Sequence, residues 1–209
     1  MKKILILAIV MVLAIPALKS QDAAMVFNAK ECTWLGLDFS KAKMIGSEGF
    51  SDPYQIKNRF FDSWNQLFLR EPDKYNVGET FRKEEVTNYL DVVEKRNEIP
   101  NIDDLVIDHE YSLTEDDIRS MVAEYEMGGN TGLGIVFIVE AFDKEAQRGR
   151  FWVTFIDNNT KQVLLTQKME GKAGGFGLRN YWAKSYYNVL KEIDKKQFKR
   201  WRSEYMGKK

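Results

Sequence analysis

Residues 150–170, RFWVTFIDNNTKQVLLTQKME, contain two runs of β-branched and aromatic residues separated by a short polar segment. Such runs favour strands, and the NNTK turn between them favours a hairpin. A third run, GLGIVFIVEAFD at residues 132–143, comes shortly before the pair and is largely apolar and branched. Three strands that follow one another so closely predict a sheet that is largely antiparallel.

Helical periodicity dominates the region before these strands. The clearest helix is predicted for residues 51–72, where Ser51 or Asp52 can cap the first turn and Pro53 suits the first helical position. A first strand is expected within residues 32–46, and further helices are expected at 83–100 and 114–125. Residues 179–205 are predicted to form one long helix or two abutting helices, and residues 103–113 either a short strand or an extended connection. We therefore predict an α+β fold, a two-layer sandwich with a mixed, largely antiparallel sheet of about four strands and helices packed on one face.

The first 22 residues have the layout of a secretory signal peptide. Lys2 and Lys3 precede an apolar run of about a dozen residues, which Pro16 ends and small residues follow. The run is too short to span a membrane. We expect cleavage within residues 20–24, after which residues 23–209 form a single soluble domain that is periplasmic or secreted and has no transmembrane helix.

Charge and cysteine content narrow the function classes. The chain carries 31 basic and 31 acidic residues, and this balance lacks the footprint of a nucleic-acid binder. Cys32 is the sole cysteine, so an intramolecular disulfide is excluded. We expect Cys32 to be a small buried residue, and the alternatives are an intermolecular bridge or a reactive thiol.

The glycine-rich stretch GKAGGFGLRNYW, residues 171–182, is the strongest candidate for a binding site. It follows the last predicted strand and lacks the Gly-Lys-Ser/Thr of a phosphate-binding loop, so a nucleotide site is not expected. Backbone amides at the start of the helix, together with basic side chains, can hold a carboxylate or phosphate. The alternative is that the glycines have no binding role and only allow positive φ angles and a close approach of the helix to the sheet. The predicted binding residues are Lys172, Gly174, Gly175, Gly177, Arg179, Asn180 and Trp182.

Catalytic candidates are few. His109 is the only histidine, so any His-based triad or metal site depends on it alone. Carboxylates that can form a glycosidase-like pair or a calcium site are Asp38, Glu110, Asp116, Asp117, Glu140, Asp143 and Asp157. Because no regular ligand spacing appears among them, we assign no catalytic residue, metal or cofactor.

Charge is distributed unevenly along the chain. Residues 71–126 hold 17 acids and 6 bases, whereas residues 178–209 hold 10 bases and 3 acids. Aromatic residues recur at helical spacing within the basic segment, so they either pack in the core or lie on an anionic membrane surface. The residues predicted for such a membrane contact are Lys195, Lys199, Trp201 and Arg202.

The segments TGLGIVFIVEAFDK (131–144) and RFWVTFIDNNTKQVLLTQKMEGKAGGFGLRNYW (150–182) resemble a family of small exported bacterial proteins of unknown function. The element order is also similar to that of the amino-terminal domain of TolB, which implies a binding role in the cell envelope. The leading hypothesis is therefore an exported, non-catalytic binding or accessory module with an envelope protein or a small anionic ligand as partner. The alternatives are a periplasmic hydrolase using carboxylates and a peripheral membrane protein using the basic carboxyl-terminal helix.

Overall fold

A seven-stranded sheet forms the centre of the computed structural model, which describes residues 24–207. Its strands are β1 (Glu31–Asp38), β2 (Lys43–Ile45), β3 (Glu85–Asn88), β4 (Val106–Ile107), β5 (Leu133–Asp143), β6 (Arg148–Asp157) and β7 (Gln162–Lys172). The strands β3-β1-β5-β2-β4 are joined by parallel pairings, while β6 pairs antiparallel with β5 and β7 antiparallel with β6.

The longest parallel strand, β5, organises this sheet. β1 pairs with its first part, from Gly134 to Ile138, and β2 pairs with its last part, from Ala141 to Asp143. β6 occupies the other edge of β5 along its whole length. Since a strand has only two edges, β1 and β2 share one of them and act as a single strand interrupted at residues 39–42.

The predicted α+β sandwich is wrong, because the protein has an α/β fold with a larger sheet. The hairpin predicted at residues 150–170 does form, as β6 and β7. The error concerns β2, β3 and β4, which are two to four residues long and gain their stability from neighbours distant in sequence. The predicted helix at residues 83–100 is also too long, since Glu85–Asn88 pair with β1 as β3.

Three of the five main helices begin at a side-chain cap, supplied by Asp52, Asn76 and Thr114. Asp52 accepts a hydrogen bond from the Gln55 amide, and Pro53 follows it at the first helical position. Thr114 and Asp117 form a reciprocal capping box. Residues 24–28 are helical, and the main helices are α1 (Pro53–Gln55, a π-helical turn Ile56–Phe60, and Phe61–Arg70), α2 (Val77–Phe81), α3 (Asp91–Arg96), α4 (Glu115–Ala123) and α5 (Leu178–Glu192, a π-helical turn Ile193–Gln197, and Phe198–Met206).

One face of the sheet carries a layer of aromatic rings that meets α1, α2 and α5. Trp34 of β1 packs on Phe68 of α1, and Phe155 of β6 packs edge-on against Trp201 of α5. All of these rings are buried, and they belong to one continuous hydrophobic cluster. Burial of such large side chains is the main favourable term in the stability of the fold.

The opposite face is covered as well, which contradicts the prediction that helices pack on one face only. Successive side chains of a strand point to opposite faces, so Trp152 points away from the aromatic layer that contains Phe151. The indole of Trp152 donates to Glu140, whose carboxylate also accepts from the amide of Leu113 just before α4. The segment that leads into α4 therefore closes this second face.

Two asparagine side chains complete the edge of β1 beyond the end of β3. The Asn65 side chain accepts from the Leu37 amide at 2.7 Å and donates to the Leu37 carbonyl at 3.1 Å. The Asn97 side chain accepts from the Phe39 amide at 2.6 Å and also donates to the Leu37 carbonyl. These amides satisfy buried backbone groups that a neighbouring strand would otherwise pair.

Lys83 holds the start of the described chain against the core. Its Nζ donates to the carbonyls of Val26 at 2.7 Å and Ala29 at 2.8 Å, and its side chain is buried. Burial lowers the pKa of Lys83 from its ordinary 10.5 to about 8. Burial also raises the pKa of the neighbouring Cys32 thiol from 9.0 to about 12, in line with the small buried residue predicted from the sequence.

We expect the free energy of unfolding to rise between about pH 8 and pH 9, because folding lowers the pKa of Lys83. Below about pH 8 the folded protein bears the full cost of a buried ammonium, and this cost is relieved as the pH approaches the unfolded value of 10.5. The rise is at most about 1.4 kcal/mol per pH unit. Ionisation of Cys32 in the unfolded chain opposes it above about pH 9.

Urea titrations across this pH range measure the slope directly. The matched variant is Lys83→Met, which keeps the length and apolar stem of the side chain and removes its charge. A rise in the unmodified protein that disappears in Lys83→Met supports the assignment. A flat profile in the unmodified protein contradicts it.

Candidate functional site

The connection from β7 to α5 is an anchored loop of residues 173–177. The Ala173 amide donates to the carbonyl of Gln147 at 2.8 Å, and the Gly174 amide donates to the carbonyl of Tyr181 at 3.0 Å. The Tyr181 amide in turn donates to the carbonyl of Gly177 at 2.9 Å. Both ends of the loop are therefore fixed to neighbouring backbone.

The four glycines of this region serve different purposes. A Cβ on Gly171 would lie 1.8 Å from the carbonyl oxygen of Ser185, so this glycine lets α5 approach the sheet closely. Gly175 and Gly177 have φ values of 107° and 78°, which other residues adopt only with strain. Gly174 has neither constraint, since a Cβ there meets nothing within 4 Å. Backbone geometry thus accounts for three of the four glycines.

The tip of the loop presents Phe176, whose surface is 95% exposed. Glycines lie on both sides of it, so no neighbouring side chain in the sequence can cover the ring. Most large apolar side chains of this protein are buried, which makes the exposure of Phe176 informative. Sequence reasoning missed this residue, although the GGFG pattern carries the signal: an aromatic ring flanked by glycines has no local partner.

Basic residues lie on both sides of Phe176 in the sequence. Lys172 and Arg179 are exposed, and neither forms an ion pair with any residue of the described chain. The Lys144 ammonium, from the β5–β6 connection, lies 4.6 Å from the centre of the Tyr181 ring. Residues 171–184 contain three bases and no acid. We call residues 172–180, which comprise the loop and the residues that flank it, the Phe176 loop, and this segment combines one exposed ring with an excess of basic residues.

Two of the predicted binding residues at the start of α5 differ from each other in exposure. Asn180 is exposed, and its side-chain oxygen accepts from the Arg179 guanidinium at 3.3 Å. Trp182 is fully buried, with its ring stacked 5.2 Å from Phe50 and 4.7 Å from Phe142. No partner can reach Trp182 in the folded protein, so we remove it from the candidate surface.

The basic end of α5 follows the core-packing alternative. Trp201 is fully buried and meets Phe155 edge-on, so it is not available for the membrane contact that was one of its two predicted roles. Lys195, Lys199 and Arg202 are exposed. The aromatic residue of this set belongs to the core, and the basic residues belong to the surface.

Glu140 is a fully buried carboxylate whose two oxygens both have partners. One oxygen lies 2.8 Å from the Lys168 ammonium and 3.3 Å from Nε of Arg150. The other accepts from Nε1 of Trp152 and from the Leu113 amide, each at 3.0 Å. Through these contacts Glu140 links β5, β6, β7 and the segment before α4. We therefore assign it a structural role, that of a hub that joins four parts of the fold.

Asp38, the second fully buried carboxylate, is similarly engaged at the end of β1. It accepts from the Tyr125 hydroxyl at 2.7 Å and from the Ser40 amide at 2.7 Å. Nε of Arg96 lies 3.3 Å away. Neither Asp38 nor Glu140 has an oxygen directed at open space, so neither is placed to exchange a proton with a substrate.

Of the remaining catalytic candidates, Glu110 and Asp143 lie beside Glu140, because Arg150 forms ion pairs with all three carboxylates. His109 is exposed, Glu110 pairs with Arg150 at 3.2 Å, and Asp117 caps α4. Within residues 24–207, no three His, Cys, Asp or Glu side chains gather in a way that suits a metal ion. Over the same residues, the structure contains no helix that is both long enough and apolar enough to cross a bilayer.

Comparison with known proteins adds no assignment. No protein-family model matches the chain, and a search of curated proteins returns no match. The resemblance to small exported envelope proteins therefore stays a prediction from the sequence, and the case for function rests on the geometry of the surface.

Proposed function

We propose that this chain is an exported, non-catalytic binding module of the cell envelope, and that the Phe176 loop contacts its partner. The observation that carries the proposal is the 95% exposed ring of Phe176 on a loop whose two ends are hydrogen-bonded to the fold. An anchored loop presents its tip in a defined position, so a partner that covers the ring pays little for ordering it.

The chemistry of the loop indicates the kind of contact. Covering a phenylalanine ring contributes about 1.5–3 kcal/mol to association. Arg179 lies three residues after Phe176, and arginine is among the residues that dominate protein interfaces. A partner surface with an apolar pocket beside acidic groups suits this combination.

Export is the second part of the proposal. It rests on the signal-peptide pattern of residues 1–22, which lie outside the residues that the structure describes. The proposed localisation is therefore periplasmic or secreted. A carboxylate hydrolase is not proposed, because the buried carboxylates Asp38 and Glu140 are committed to structural partners.

Site-specific photo-cross-linking tests the role of the loop. A photoreactive phenylalanine analogue replaces Phe176 in the protein expressed in its own cells, and the same analogue replaces Tyr54 as the control. Tyr54 is also an exposed aromatic residue, at 66%, but lies on α1 outside the loop. We expect a discrete adduct in the envelope from position 176 and none of the same mass from position 54.

Two results contradict the proposal. One is the absence of any adduct from position 176 when the protein is present in the envelope fraction. The other is the same set of adducts from both positions, which indicates random collision. Mass spectrometry of the adduct identifies the partner.

A further inference from the structure

The outward face of α5 carries a stripe of bases at helical spacing. Its members recur at intervals of seven, four, four and three residues, which places them along one side of a helix. All of them are exposed. We call this set the α5 basic stripe, and it consists of Lys184, Lys191, Lys195, Lys199 and Arg202.

None of these five bases has a carboxylate partner within the described chain. Elsewhere on the surface, bases are commonly paired: Lys30 with Glu84, and Lys95 with Glu126. The acids of α5 form no ion pair with the stripe, because Asp194 pairs with Arg82, Glu192 pairs with Lys196, and Glu204 forms no ion pair with any base of the described residues. The stripe is thus a row of uncompensated positive charge.

The length of the α5 basic stripe indicates the size of the target that it can bind. Lys184 and Arg202 are eighteen positions apart in the sequence. At 1.5 Å per residue, they span about 27 Å of helix. An ion or a small ligand would engage only one or two of these bases. A target with negative charge repeated over a wide surface engages all of them together.

We propose that the α5 basic stripe docks this protein onto an anionic phospholipid bilayer. Charge complementarity carries the proposal: a bilayer surface offers closely spaced phosphates over the whole length of the stripe, and bases near such a surface add to binding one by one. The buried positions of Phe198 and Trp201 leave the contact electrostatic, with α5 lying on the headgroups rather than inserted. The inference rests on the export in the proposed function, but not on the Phe176 loop.

Vesicle co-sedimentation of the purified exported protein tests the stripe. The protein is mixed with vesicles of phosphatidylcholine containing phosphatidylglycerol, and separately with vesicles of phosphatidylcholine alone. We expect binding to the anionic vesicles only. The stripe variant, which we expect to bind on the order of 1,000-fold more weakly, carries Lys191→Gln, Lys195→Gln, Lys199→Gln and Arg202→Gln.

A matched control loses the same number and kind of charges from ion-paired surface positions. It carries Lys30→Gln, Lys41→Gln, Lys95→Gln and Arg119→Gln. We expect this control to bind within about threefold of the unmodified protein, because its bases are already neutralised by acids. Thermal unfolding of both variants verifies that the fold is retained.

Three results overturn the inference. In the first, the unmodified protein fails to bind anionic vesicles. In the second, the stripe variant and the control variant lose the same amount of affinity for these vesicles. In the third, the unmodified protein binds soluble dextran sulfate as tightly as it binds the vesicles. The last would assign the stripe to a polyanion in place of a bilayer. None of them affects the adduct expected from position 176, so failure here is distinguishable from failure of the proposed function.

Discussion

Replacing Glu140 with Ala is expected to lower the free energy of unfolding by about 3–5 kcal/mol. The substitution deprives Nε of Arg150, the Trp152 indole and the Leu113 amide of their buried acceptor, while Arg150 keeps its ion pairs with Glu110 and Asp143. Each buried donor then bears its desolvation cost uncompensated. Chemical denaturation followed by tryptophan fluorescence measures the loss.

Glu170→Ala is the control for this experiment. Glu170 lies on β7, its side chain is 47% exposed, and its nearest base, Arg148, is 3.9 Å away. We expect this control to change stability by no more than about 0.5 kcal/mol. Equal effects of the two substitutions would contradict the role of Glu140 as a hub.

Replacing Trp182 with Ala is also expected to lower the free energy of unfolding by about 3–5 kcal/mol. The indole fills the space between Phe50 and Phe142, and its removal leaves a cavity lined by aromatic rings. The Trp182→Phe variant keeps part of this stacking, so we expect a smaller loss. The midpoints and slopes of urea titrations measure both effects.

Phe176→Ala is the matched control on the same loop region. Because the Phe176 ring is 95% exposed, its removal should change stability by less than about 0.5 kcal/mol. A Trp182→Ala protein as stable as this control would show that the stacked position is wrong. The contrast also means that binding should be tested with Phe176 or Arg179 variants, since loss of Trp182 weakens the fold itself.

Elements with strong local patterns were predictable from the sequence. The hairpin of β6 and β7 has two apolar runs around a polar turn, and α1 has a cap, an initial proline and a continuous apolar face. Each of these signals lies within about 20 residues of chain and needs no distant partner. The same holds for the capping box of Thr114 and Asp117.

The fold class was not predictable because the decisive strands have weak sequences. β3 is EVTN, largely exposed, and β4 has only two residues. Their direction is set by pairing with β1 and β2, from which they are separated by whole helices. The periodicity of a short segment carries no information about which distant strand it will pair with. The prediction therefore rested on the hairpin, whose two strands are adjacent in sequence, and it favoured an antiparallel sheet.

The structure decides which of the predicted site residues are exposed, and it leaves the site itself a prediction. The glycines drew attention to the loop that carries the exposed Phe176 ring, whereas Trp182 was predicted to bind a partner, and for Trp201 core packing and membrane contact both stayed open. Both lie on the inward face of α5, and spacing within one helix does not say which side meets the sheet. Phe176 differs, since its glycine neighbours already separate it from any local cluster.

The two asparagines beside β1 make the sheet edge depend on the helices. The amides of Leu37 and Phe39 are paired by Asn65 from α1 and Asn97 from the turn after α3, so this edge has no pairing until those elements have docked. Partial opening of either helix region exposes the backbone of the central sheet. Amide hydrogen exchange at Leu37 should therefore follow the opening of α1, and exchange at Phe39 should follow the opening of the turn after α3. Equal protection of the two amides would indicate that both regions open in one event, and unequal protection would indicate separate openings.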